Sequence, residues 1–172
     1  MRTFFTLLIL FFSHTIFAQV EYEISQDPKH PEVTIYRGTI DKYLLQNTPE
    51  FAKWYKQNQQ GYAPDSAVLK SFEKAKDTIQ FVIFGGTWCD DTQYILPKFF
   101  KLQEMSGIPD SSITLFGVNR KKVALGHIAE AFNITAVPTI IIMKEGKEMG
   151  RVVEYGKTGK WDKELAEIIR VL

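Results

Sequence analysis

The sequence predicts an α/β protein: a central mixed sheet flanked by helices, preceded by an N-terminal helical and strand extension. Three observations carry that prediction. Thr78 to Phe84 and Ser112 to Val118 are short runs of strand character. Between them Ile95, Phe99 and Leu102 recur at i, i+4 and i+7, the spacing of one helix face. After them, Thr139 to Met143 and Glu148 to Val153 flank Lys144-Glu145-Gly146-Lys147, which has the length and the glycine of a hairpin connection. The order βαβα, hairpin, helix describes a parallel βαβ half joined to an antiparallel ββα half, with helices on both faces.

Each element has its own justification. Residues 1–18 read as a leader: Arg2 supplies a basic start, Thr3 to Phe12 is almost wholly apolar, and Ala18 offers a small residue for cleavage. The stretch is too short for a membrane span of its own. Residues 19–77 then form the extension. Gln19 to Pro31 is polar, with Asp27-Pro28 and His30-Pro31, and reads as an extended lead-in without periodicity. Val33 to Ile40 is β-rich around Gly38. Thr48-Pro49 places an N-cap before a proline at the first helical position, and Phe51, Trp54 and Tyr55 fall on one face. Asp65 or Ser66 caps a second helix whose apolar stripe is Val68, Leu69, Phe72 and Ala75.

Residues 78–172 form the main domain. Its first strand stops abruptly at Gly85-Gly86, as a buried strand feeding a tight turn does, and a helix starts at or just after Cys89. Pro97 inside that helix predicts a kink. After the strand ending at Val118, a helix is expected through Ala129 and Phe132. Trp161, Leu165, Ile168 and Leu172 mark a last amphipathic helix.

Composition narrows the function classes. The 172 residues, 45% of them hydrophobic, suit one compact domain with an extension. Arg2 is the only Asp, Glu, Lys or Arg within residues 1–18, so without them the chain carries 20 basic and 20 acidic residues. Dispersed charges with no net excess give no electrostatic footprint for nucleic acid or an anionic membrane. Cysteine use is the sharper signal. An exported protein ordinarily pairs its cysteines, but Cys89 is the only one here, so no disulfide can form within the chain. Cys89 is either a functional thiol or a small core residue.

Phe81 to Thr92 reads FVIFGGTWCDDT and resembles the active-site segment of the thioredoxin family, where a buried strand runs into Trp-Cys at a helix start. Pro97 falls where thioredoxins kink the same helix. Ile134 to Thr139 reads ITAVPT and resembles the family's cis-proline segment, which implies that Pro138 lies beside the cysteine. Gly146 matches the glycine of the following hairpin. The resemblance covers residues 78–172, and the chain is especially similar to exported thioredoxin-like proteins with a Trp-Cys-x-Asp-Ser/Thr segment. It implies a thioredoxin-like fold and thiol-disulfide chemistry at Cys89. The departures matter equally. Thr92 stands where the resolving cysteine belongs, Ile83 where a buried acid belongs, and Glu154 where spacing puts a groove glycine.

Candidate roles follow. Cys89 is the nucleophile, and Thr92 supports its thiolate with a hydroxyl hydrogen bond. Trp88, Val137, Pro138 and Glu154 line the substrate groove, and Val137 offers its backbone to an extended peptide. A helix start favours a thiolate. Asp90 and Asp91 work against one by adding negative charge, and as acids in a first helical turn they also have a structural explanation. A metal held by Cys89, Asp91 and Glu154 is a weak pattern without a His or second Cys. His127 reads as a surface residue. No cofactor is called for.

The leading expectation is an exported, periplasmic or extracellular monomer that exchanges disulfides by a monothiol route with protein or small-molecule thiols and disulfides. Nucleic acid and stable membrane insertion after leader cleavage are not expected. The competing class is a non-enzymatic peptide-binding module in which the cysteine is incidental or a latch. A sensor that dimerises through Cys89 is a third.

Overall fold

The computed structural model describes residues 21–172, so the leader expected at residues 1–18 lies outside the described residues. Six strands make one mixed sheet: β1 (Tyr22–Gln26), β2 (Thr34–Ile40), β3 (Gln80–Gly85), β4 (Ile113–Gly117), β5 (Thr139–Lys144) and β6 (Lys147–Val153), in the order β1-β2-β4-β3-β5-β6. β3 and β4 are parallel, with Phe81 opposite Ile113 and Gly85 opposite Gly117. β5 runs antiparallel to β3, and β6 antiparallel to β5. Glu145 and Gly146 join β5 to β6 with φ of 51° and 75°, the two positive values of the tight hairpin turn that matches strand twist.

The helices are α1 (Lys42–Asn47), α2 (Pro49–Gln60), α3 (Ser66–Ala75), α4 (Asp90–Ser106), α5 (Ile128–Ala131) and α6 (Trp161–Arg170). Strand alternation assigns them to faces. Phe81 and Ile83 of β3 point into a buried cluster with Phe51, Phe72, Ile95, Phe99 and Leu165, which come from α2, α3, α4 and α6. Phe84 points the other way, into a smaller cluster with Val118, Ala129, Ile134, Val137 and Ile141, beneath α5. Trp88 and Cys89 pack against this second cluster. The α2 and α3 side chains share the first core outright: the Phe72 ring stacks on Phe81 at 5.8 Å, and Phe81 meets Phe99 edge-on at 5.1 Å.

Two local expectations need correction, the lead-in and the helix through Phe132, and α1 is an element the sequence did not suggest. The lead-in at residues 19–31 contains β1, which pairs antiparallel with β2 from Tyr22 opposite Gly38 to Gln26 opposite Thr34. Its side chains are mostly exposed, so no alternation marked it, and its partner strand supplies the order. α1 is a helix of six residues, too short to show a period. Asp41 caps it by accepting from Leu44 N–H, and Lys42 pins it by burying its ammonium among Gln103, Glu104 and Asp110. Thr48 is the N-cap of α2 with Pro49 directly after it, as expected; its side chain makes no capping bond, and its carbonyl accepts from Phe51 and Ala52. The helix expected through Ala129 and Phe132 shrinks to α5, one turn long, because Gly126, His127 and Asn133 all take positive φ around it.

Candidate thiol site

Everything at the site hangs from the C-terminal end of β3. Gly85 passes close to α4: a β-carbon there would lie 3.0 Å from Thr92 Cγ2. At Gly86 a β-carbon would lie 2.6 Å from the Trp88 indole, so only glycine lets the ring lie over this turn. Thr87 is buried and ties the turn to the extension. Its hydroxyl donates to Thr34 O at 2.8 Å and accepts from Tyr36 N–H at 3.4 Å, both in β2. Gln93 Nε2 donates to Thr87 O at 2.8 Å, and Trp88 Nε1 donates to Val118 O at 2.9 Å. The loop is therefore held from β2, β4 and α4 at once.

Cys89 is the N-cap residue of α4, with extended backbone (φ −102°, ψ 122°) and a half-buried side chain. Its N–H donates to Gly86 O at 2.9 Å. The first N–H groups of α4 have no partner within the helix, so the positive end of the helix lies at the thiol. The Sγ donates to Val137 O at 3.3 Å, across to the segment that enters β5. The Val137–Pro138 peptide is cis. Val137 N–H makes no hydrogen bond to a described residue, and Pro138 O accepts from Glu154 N–H at 2.7 Å. Cys89, Trp88, Val137 and Pro138 are thus brought together, with Glu154 one backbone bond away.

Other expected contributions differ. Thr92 does not reach the thiol: it is buried, and its hydroxyl accepts from Gly86 N–H at 3.2 Å, so it braces the turn beneath Cys89 rather than supporting a thiolate. Asp90 is exposed at the first position of α4. Glu154 is exposed in the left-handed conformation, φ 53°. Cys89, Asp91 and Glu154 do not form a set able to hold a metal ion among the described residues. Ile83 is fully buried in the larger core.

Several site residues went unnoticed in the sequence. Tyr155 has its hydroxyl pushed up to about 12 by burial and by the neighbouring Asp91 carboxylate. Its ring lies 5.8 Å from that of Tyr94, and both rings are partly exposed. On the β4 side, the Arg120 guanidinium lies 4.8 Å from the Trp88 ring and the Lys122 ammonium 5.9 Å from it. These two belong to a tight turn closed by Asn119, whose side chain accepts from Lys121 and Val123 N–H. The run Asn119-Arg120-Lys121-Lys122 directly after a strand was the available signal, but nothing in one dimension ties it to Trp88.

The family model of thioredoxin matches residues 65–169. The chain belongs to the thioredoxin family. Yeast thioredoxin-1 (Saccharomyces cerevisiae) is 32% identical over 79 residues, 46% of this chain and 71% of that protein. Thioredoxin H3 of Arabidopsis thaliana is 33% identical over 89 residues, 52% of this chain and 70% of that protein. Among solved structures, a Pseudomonas aeruginosa protein of unknown function superposes with a TM-score of 0.53 at 16% identity, covering 77% of this chain and 93% of that one, a likeness of fold. Membership supports thiol-disulfide oxidoreductase chemistry in general, with protein thiols and disulfides as partners. No helix among the described residues is long and apolar enough to cross a membrane. The family match begins at residue 65, so β1, β2, α1 and α2 precede it while sharing its sheet and core.

Proposed function

We propose that this thioredoxin-family protein is an exported thiol-disulfide exchange protein that works by a monothiol route through Cys89. The observation that carries the reading is the position of the only thiol: half-buried at the N-terminus of α4, against the Val137–Pro138 segment, on a turn fastened from three sides. Such a thiol is ordered and reachable. The leader pattern at residues 1–18 supports the exported location.

The chemistry is one exchange step each way. Cys89 loses its proton to solvent, its sulfur attacks one sulfur of a substrate disulfide, the substrate S–S bond breaks, and the departing sulfur leaves as a thiolate with the electron pair. A Cys89–substrate mixed disulfide results. With Thr92 in place of a second cysteine, the resolving attack comes from an external thiol, which forms a disulfide with the substrate and returns Cys89 as thiolate. During the first step Val137 N–H is available to an extended substrate backbone.

The test is trapping. The reduced mature protein, mixed with a small disulfide, should gain the mass of one half-disulfide at Cys89, and Cys89→Ser should gain nothing. Insulin reduction should require an added small thiol; rapid reduction without one would sink the monothiol scheme. If Cys89 forms no mixed disulfide yet a peptide partner binds equally to Cys89→Ala, the protein is a binding module. Thr92, braced against Gly86 instead of the thiol, is the observation on that side.

A further inference from the structure

Arg120 is positioned in a way the exchange reaction alone does not explain. Asp27, which precedes the family match, is a fully buried carboxylate in the segment between β1 and β2. Burial works against its charge, but Lys29 N–H and the Arg120 guanidinium hold its carboxyl below the usual carboxylate range. The pair is formed through Arg120 Nε. Neither terminal nitrogen of Arg120 donates to a described residue, although the group has five N–H donors, and 40% of the side chain is exposed. A buried acid therefore fixes the inner edge of the guanidinium 4.8 Å from the Trp88 ring, and no described residue takes its outer edge. Lys122 adds a second cation near the same ring.

The two flanks of the thiol differ in charge. The sheet order β4-β3-β5-β6 places Arg120, beyond β4, and Tyr155, beyond β6, on opposite sides of the β3 end that leads to Cys89. Three strand spacings, about 14 Å, separate β4 from β6. The β6 flank carries Asp91, Glu154 and the Tyr155 hydroxyl; the β4 flank carries the cationic turn. A free guanidinium edge is suited to a carboxylate, which it can take with two parallel hydrogen bonds.

We propose that Arg120, positioned by Asp27, is a specificity-determining residue that selects peptide disulfides carrying an acidic residue beside the cysteine. This rests on the exchange reading above. It makes the segment before the family match part of the substrate site, since Asp27 is what aims Arg120.

Three matched peptides carrying a pyridyl disulfide, with glutamate, glutamine or lysine flanking the cysteine, test it. Attack by Cys89 at the peptide sulfur releases pyridine-2-thione, whose absorbance gives the rate. The wild-type protein should prefer glutamate to glutamine to lysine by about threefold per unit of charge, the scale of one Coulomb contact near water, and added salt should compress the ranking. Arg120→Gln should flatten it, while Lys121→Gln should leave it nearly intact. Because Arg120→Gln strands a buried carboxylate, the double variant Asp27→Asn/Arg120→Gln, which removes both charges, should flatten it equally and remain folded. Equal rates for the three peptides in wild type, a preference for lysine, or an equal effect of Lys121→Gln would overturn the inference while leaving exchange intact. No thione from any peptide would sink the exchange reading and this inference with it.

Discussion

At the scale of single residues, the site depends on one absent side chain. The Trp88 ring occupies the space a β-carbon at Gly86 would take, and the same ring anchors Val118 and faces Arg120. Gly86→Ala is therefore expected to lower stability by about 1–3 kcal/mol, since the added methyl and the indole cannot share that space and the ring must shift. Urea denaturation followed by tryptophan fluorescence checks both parts, with a lower midpoint and altered folded-state emission as the expected result. The Gly-Gly-Thr-Trp-Cys run was legible as a turn delivering a thiol. The job of Thr92 was not, because its spacing from Cys89 is the same whether its hydroxyl turns to the sulfur or to Gly86 N–H.

At the scale of elements, α4 carries Pro97 in its interior, and a proline there deprives the carbonyl four residues earlier of its usual donor. That carbonyl is Gln93 O, and Asn58 Nδ2 of α2 donates to it at 3.0 Å. The extension thus supplies the hydrogen bond the proline removes. Asn58→Ala should cost about 1–2 kcal/mol in the wild-type background. It should cost less than half as much in Pro97→Ala, where a backbone N–H returns to Gln93 O. A double-mutant cycle on urea midpoints measures the coupling, and additive effects would show that the contact contributes nothing. Elements with a strong period, such as α3 and α6, were evident from sequence. β1 and α1 were not: one is exposed beyond Tyr22 and the other spans six residues, so each is specified by its neighbours.

At the scale of the whole molecule, stability should depend on pH through Lys98. This side chain is buried on α4, donates to Tyr94 O at 3.0 Å, and has no carboxylate partner among the described residues; burial lowers its ammonium to about 8. The unfolded chain keeps that proton up to about 10.5, so between roughly pH 8 and 10.5 it binds more protons than the folded protein, and stability rises with pH across that window. Lys98→Met should be more stable than wild type at pH 7, by about 1 kcal/mol once solvent screening is allowed for, and the difference should shrink by pH 10. Urea midpoints at the two values decide it; a constant difference would show that the charge is not the cause. By itself the sequence determined the α/β order, the family segment and the solitary thiol at a helix start, because hydrophobic period, glycine placement and cysteine count are local properties. Only the tertiary structure decided that Asp27, Thr34, Asn58, Arg120 and Tyr155 serve the site. Those residues lie from 31 to 66 positions away from Cys89 in the chain, and their contacts exist only because β2, α2, β4 and β6 close around the end of β3.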